Sequence, residues 1–189
     1  MRALLRRAAA PPRRVAPPRQ RRRLQTINMP HWLKQNGPSL TPPVANKLLF
    51  GGDLKVMVVG GPNQRRDYHL QEGEEFFIQL EGELMLKTIE RGAFRDVAVR
   101  GGDAFLLPAR VPHSPQRGPA SLGLVFERSH TLGEMDGMLW FGEDADLRDG
   151  AAADLGDVAY EEYFHCTDLG KQLAPVIGRY NEWKAAGAP

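Results

Sequence analysis

Six short apolar or alternating runs crowd the middle of this chain: Leu54–Val59, Glu75–Leu80, Glu83–Ile89, Phe94–Val99, Ala104–Leu107 and Leu122–Glu127. Turn-forming residues separate them, at Gly60-Gly61-Pro62, Glu81-Gly82, Arg91-Gly92 and Gly101-Gly102. Many short strands at close spacing predict an antiparallel sandwich or barrel. With 189 residues, 42% of them hydrophobic, the chain can build one core in one domain. The expected architecture is mainly β, with a few short flanking helices. His31–Gln35 reads as a short helical piece ahead of the stop at Pro42-Pro43. After Gly133 the chain reads as more helical, with Tyr160–Phe164 and Val176–Trp183 as candidate segments.

The charge is unevenly spread. Residues 1–26 carry nine arginines and no acid; without those arginines, 16 basic residues face 23 acidic ones, a net charge of −7. The body is acidic, which argues against nucleic acid as a partner. The Arg/Pro/Ala-rich opening cannot bury a core, so residues 1–26 are read as a disordered extension and 27–189 as the domain, with a helical segment at its C-terminal end. An arginine-rich, acid-free opening also resembles a mitochondrial import signal. Prolines at 11, 12, 17 and 18 interrupt any amphipathic helix there. A cytoplasmic protein is the alternative. The single cysteine, Cys166, rules out an intramolecular disulfide and fits a reducing compartment. No apolar run approaches the roughly 20 residues of a membrane span.

Two segments carry chemistry. In the first, His69 and Glu75 flank a turn containing Gly73; in the second, His113 follows Pro108 and Pro112. Either histidine alone would be an ordinary surface or core residue. Together, two imidazoles and one carboxylate brought from neighbouring strands make a facial triad, which leaves open positions on one side of an iron(II) ion. An oxygenase needs those positions for substrate and dioxygen. Glu74 competes with Glu75, and strand alternation allows only one of them to face inward. His165 and Cys166 are adjacent, have no further ligand nearby, and read as packing residues.

These segments resemble the cupin signatures. Glu75 and Gly82, with six residues between them, match the first motif; Asp67 stands where that motif has its first histidine. Gly102, Pro108 and His113 match the second, while Arg110 and Arg117 replace its glycine and asparagine. The departures leave two histidines and one glutamate. They occur within strings that resemble 3-hydroxyanthranilate 3,4-dioxygenases: Val58-Val59-Gly60-Gly61-Pro62-Asn63, Asp67-Tyr68-His69, Glu74-Glu75-Phe76-Phe77, Phe105-Leu106-Leu107-Pro108 and His113-Ser114-Pro115-Gln116-Arg117. The resemblance spans roughly Met29 to Trp140.

It implies a single cupin barrel (a double-stranded β-helix, or jelly roll) and an iron(II) centre at His69, Glu75 and His113. It also implies substrate contacts at Arg65, Arg117 and Glu127, with Val44, Asn46 and Pro115 lining the pocket and Asp67 supporting a metal-bound histidine or Arg65. Arg66 remains an alternative to Arg65. An arginine fork suits a planar carboxylate, and a glutamate suits a ring hydroxyl or amine. The implied reaction joins 3-hydroxyanthranilate and O2 with ring opening between carbons 3 and 4. Its product is 2-amino-3-carboxymuconate semialdehyde, which cyclises to quinolinate on the kynurenine route from tryptophan to NAD. The resemblance further suggests a homodimer. The second, rubredoxin-like iron site of bacterial members needs two Cys-x-x-Cys pairs and is not expected here. Two rival readings remain: another metal-dependent cupin dioxygenase, and a non-catalytic cupin binding module.

Overall fold

The computed structural model describes residues 25–40, 42 and 45–187. Helix α1 (Met29–Asn36) comes first; the Asn28 side chain caps it by accepting from the His31 N–H. Eleven strands follow among the described residues: β1 (Asn46–Phe50), β2 (Leu54–Gly60), β3 (Tyr68–Leu70), β4 (Glu75–Glu81), β5 (Glu83–Glu90), β6 (Ala93–Arg100), β7 (Ala104–Leu107), β8 (His113–Arg117), β9 (Leu122–Arg128), β10 (Asp136–Phe141) and β11 (Val158–Phe164). Helix α2 (Leu169–Ala185) comes last. The expected extension over residues 1–26, and Val44 of the expected pocket, lie outside the described residues, Gln25 and Thr26 excepted.

The strands form two antiparallel sheets, ordered β1-β2-β9-β4-β7 and β11-β10-β3-β8-β5-β6. Their inner faces meet in one core, where Phe77, Leu107 and Val125 of the first sheet pack on Leu84, Leu86 and Val99 of the second. This is the mainly β, two-sheet arrangement that the cupin resemblance leads one to expect. Period two explains the burial: in β5, Leu84, Leu86 and Thr88 point inward while Glu83, Met85 and Lys87 face the other way. The tight β4–β5 connection holds Gly82 at φ 65°, a left-handed conformation that favours glycine.

The same alternation positions the site. Glu75, Phe77 and Gln79 share the inner face of β4, Gly123, Val125 and Glu127 that of β9, and His113 and Arg117 that of β8. Each strand contributes polar groups to an otherwise apolar interior. Pro115 is tolerated inside β8 because the neighbouring ladder is interrupted there. β3 pairs with β8 only at His69↔His113, and the next pairing on that side is the Asn63↔Arg117 bridge.

The C-terminal third corrects the sequence reading. Tyr160–Phe164 is not helical; it lies in β11, which pairs with β10 through Trp140↔Tyr160 and Met138↔Glu162. Tyr160, Tyr163 and Phe164 have the spacing of one helix face, which invites the helical reading. The strand instead turns Tyr160 and Phe164 toward Trp140 and α2, and leaves Tyr163 exposed. Val176–Trp183 does lie within α2, where Tyr180 stacks on Trp140 at 4.6 Å. At 17 residues, α2 is longer than the short flanking helices expected.

Candidate metal centre

His69 and His113 are directly opposed across β3 and β8, with ring centroids 5.2 Å apart. Glu75, at the start of β4, faces them from the other sheet. Its Oε1 lies 3.1 Å from His113 Nε2 and 3.9 Å from His69 Nδ1. One ligand atom from each of the three residues lies within 4.8 Å of the others, and all three side chains are buried. Glu74, the competing candidate, is exposed.

The far side of each ring is occupied, which fixes the near side. His113 Nδ1 stands 3.1 Å from the Val111 carbonyl, which can only accept, so Nδ1 carries the proton and the Nε2 lone pair faces Glu75. His69 Nε2 stands 2.9 Å from Asp136 Oδ2, so Nε2–H donates and the Nδ1 lone pair faces inward. Glu75 Oε1 is buried and has no hydrogen bond, because the nearest nitrogen, His113 Nε2 at 3.1 Å, has given its proton position to Nδ1. Two imidazole lone pairs beside an orphaned carboxylate oxygen fit a divalent cation. Two imidazoles and a carboxylate suit ferrous iron.

The electrostatics agree. Burial disfavours the Glu75 anion, yet His113 and then His69 outweigh it and hold the carboxyl below its ordinary range. Burial also works against a His69 cation, but the Asp136 hydrogen bond and charge win and raise its pKa.

Asp136 was not foreseen. It is fully buried at the head of β10, and besides His69 it meets His130, whose Nε2 is 2.6 Å from Oδ1. Asp136 also faces the buried Cys166 thiol, whose pKa burial and the Asp136 charge push up. The His165 Nδ1 is 2.9 Å from the Glu134 carbonyl, so this histidine also has a structural partner. The sequence signal for Asp136 was a lone acid opening the apolar run Gly137-Met138-Leu139-Trp140-Phe141. A carboxylate behind a ligating histidine fixes the ring and raises its basicity. Asp136→Asn is therefore expected to weaken metal binding by about 10- to 100-fold. A competitive cobalt(II) titration reads this, and unchanged affinity would separate Asp136 from the centre.

One cavity joins these three residues to Arg65, Arg117 and Glu127, with Asn46 and Pro115 in its wall. Leu169 and Leu173, from the first turns of α2, also line it. Arg65 is the inward arginine; Arg66 is half exposed and reaches Glu143 instead. The Arg65 backbone is clamped to β8 by both ends of the Gln116 amide, at 3.0 and 2.9 Å. Asp67 does not line the cavity and, among the described residues, makes no hydrogen bond or ion pair with a histidine; it receives the Arg65 guanidinium, with Nε 2.9 Å from Oδ2. Arg117 differs. It is buried, and among the described residues no carboxylate pairs with it. Its Nη1 donates to the Gln79 amide oxygen at 3.0 Å and to Ser121 Oγ at 3.3 Å, while Nε has no partner. Burial lowers its pKa to about 10, so it stays charged at neutral pH. Glu127 accepts from Lys55 Nζ at 3.0 Å; burial and then the Glu75 charge raise its pKa against that pull.

Comparison with known proteins follows the same lines. A sequence model described as "3-HAO: 3-hydroxyanthranilic acid dioxygenase" matches residues 22–181. A mouse protein named 3-hydroxyanthranilate 3,4-dioxygenase is 48% identical over 154 residues, covering 82% of this chain and 50% of that one. The human protein of that name is 50% identical, covering 79% and 49%. The chain thus spans about half the length of the curated relatives it matches. Among solved structures, a cupin-2 domain containing protein from Shewanella frigidimarina aligns with a TM-score of 0.43 at 16% identity, covering 54% of this chain and 93% of that one. Among the described residues, no helix is long and apolar enough to cross a membrane.

Proposed function

The chain belongs to the 3-hydroxyanthranilic acid dioxygenase family, and from that premise we propose that it opens the ring of 3-hydroxyanthranilate with dioxygen, using iron(II) held by His69, Glu75 and His113. The product is 2-amino-3-carboxymuconate semialdehyde; it retains both oxygen atoms, requires no outside reductant and cyclises to quinolinate. The observation that carries the reading is the Arg117 guanidinium, buried without a carboxylate partner in the same cavity as the two-histidine, one-glutamate set. A buried cation lacking an internal counter-ion favours an anionic ligand.

Iron(II), when bound, supplies what the side chains lack: adjacent positions for an aminophenol ring and dioxygen, and a route for electrons between them. The protein does the rest. Arg117 binds the ring carboxylate through its fork. Arg65, already neutralised by Asp67, adds hydrogen-bond donors without net charge. Glu127, held by Lys55 and with its pKa raised, accepts a hydrogen bond or proton from the ring hydroxyl or amine. Phe77, Val125, Leu169 and Leu173 make the cavity wall apolar and exclude water.

The test is anaerobic removal of metal, reconstitution with iron(II), and an assay with 3-hydroxyanthranilate and air. Equimolar oxygen uptake and appearance of the ring-opened chromophore are expected, with less than about 1% of that rate in metal-free protein. Full activity without iron(II), or no ring-opened product with it, overturns the reading.

A further inference from the structure

We propose that Gln79 is a specificity-determining residue: it holds Arg117 in place while leaving the guanidinium charge unneutralised, so that the cavity selects ring substrates bearing a carboxylate. The inference rests on the proposed ring-opening activity and deepens it. Three neighbours fix Gln79. Its Nε2 donates to the Glu81 carbonyl at 2.7 Å and to Ser121 Oγ at 2.9 Å. Both amide hydrogens are thereby used, and the amide oxygen can only turn toward Arg117 Nη1, at 3.0 Å. Gln79 is 1% exposed and Ser121 3%, so no solvent competes for these bonds. The arrangement also needs Gly123 on β9: a Cβ there would stand 2.8 Å from the Gln79 amide oxygen and 3.3 Å from Arg117 Nη1.

The neutrality of the holders is the informative feature. Buried arginines are ordinarily paired with carboxylates. Arg65 follows that rule through Asp67. Arg117 is held instead by an amide and a hydroxyl. A carboxylate at 79 would satisfy the guanidinium internally and repel a substrate anion. Glutamine gives the same reach without the charge. The cavity therefore keeps one cation matched and one unmatched, and the unmatched one addresses the ligand.

Gln79→Glu and Gln79→Met, each loaded with iron(II), test this. Gln79→Glu is expected to raise KM for 3-hydroxyanthranilate by about tenfold or more, with kcat little changed, because like charges now face each other. KM for 2-aminophenol, the same ring without the carboxylate, should stay within about twofold. Gln79→Met keeps the Arg117 charge and loosens its position, so a rise of only a few-fold is expected. Calorimetric binding of benzoate to the same preparations reads the anion site whether or not a ring opens. It should weaken in the same order: wild type, then Gln79→Met, then Gln79→Glu. If wild-type protein opens no ring but binds benzoate in that order, the activity reading fails and the anion site stands. Equal losses in both variants, or parallel losses for 2-aminophenol, would reduce Gln79 to a structural role and overturn the proposal. If Gln79→Glu does not fold, unchanged benzoate affinity in Gln79→Met overturns it by itself.

Discussion

Replacing His113 with alanine is expected to abolish stoichiometric iron binding and to lower turnover by more than about 1,000-fold. Losing even an outer partner of a ligating histidine costs roughly 10- to 100-fold in affinity or activity, and losing the ligand costs more. Two effects act together here. The first is the missing Nε2, which stands 3.1 Å from Glu75 Oε1. The second acts on Glu75 itself. His113 is the strongest of the groups that keep this buried carboxyl ionised, ahead of His69. Without it burial weighs more heavily against the carboxylate, its pKa rises, and a second ligand is weakened. Iron per chain by elemental analysis and oxygen uptake are the two readouts, with circular dichroism to confirm that the sheets persist. Wild-type iron content with turnover within tenfold of wild type would exclude His113 from the centre.

The legible and illegible parts of this molecule divide along physical lines. The long alternating strands β4, β5, β6 and β9 could be read because one face is core and the other is not. Strand β3 has three residues, too few for any period, and β8 carries a proline that argues against a strand. Both give the site its histidines. They were found through residue chemistry rather than through strand pattern. Strand β10 is buried on both faces, so it shows no alternation at all, and with it Asp136 went unseen. The polar holders of Arg117 escaped for another reason. Gln79 and Ser121 are 42 positions apart in sequence and become neighbours only through sheet pairing. The Glu74/Glu75 and Arg65/Arg66 choices left open in the sequence are choices between adjacent residues, and the backbone alone turns one of each pair inward.

Arg117→Met is expected to separate activity from stability. Truncating one partner of a buried charge pair costs about 2 to 5 kcal/mol, so kcat/KM for 3-hydroxyanthranilate should fall by roughly 30-fold or more. Stability should behave differently. In the absence of an anion, Arg117 carries its charge at a desolvation penalty, seen in a pKa lowered to about 10. Because the folded pKa lies below the unfolded one, that penalty is fully present at neutral pH. It is relieved only as pH rises through about 10. Methionine removes it. Against this, the Gln79 amide oxygen loses its partner, which costs about 1 to 3 kcal/mol, while both Gln79 Nε2 bonds remain. The two terms oppose each other at similar size, so the thermal midpoint of the substrate-free protein should move by only a few degrees. A residue that held the fold together would instead take the midpoint down with the activity. Differential scanning calorimetry beside steady-state kinetics decides between them. A large fall in midpoint would make Arg117 structural, and an unchanged kcat/KM would mean that the ring carboxylate is bound elsewhere.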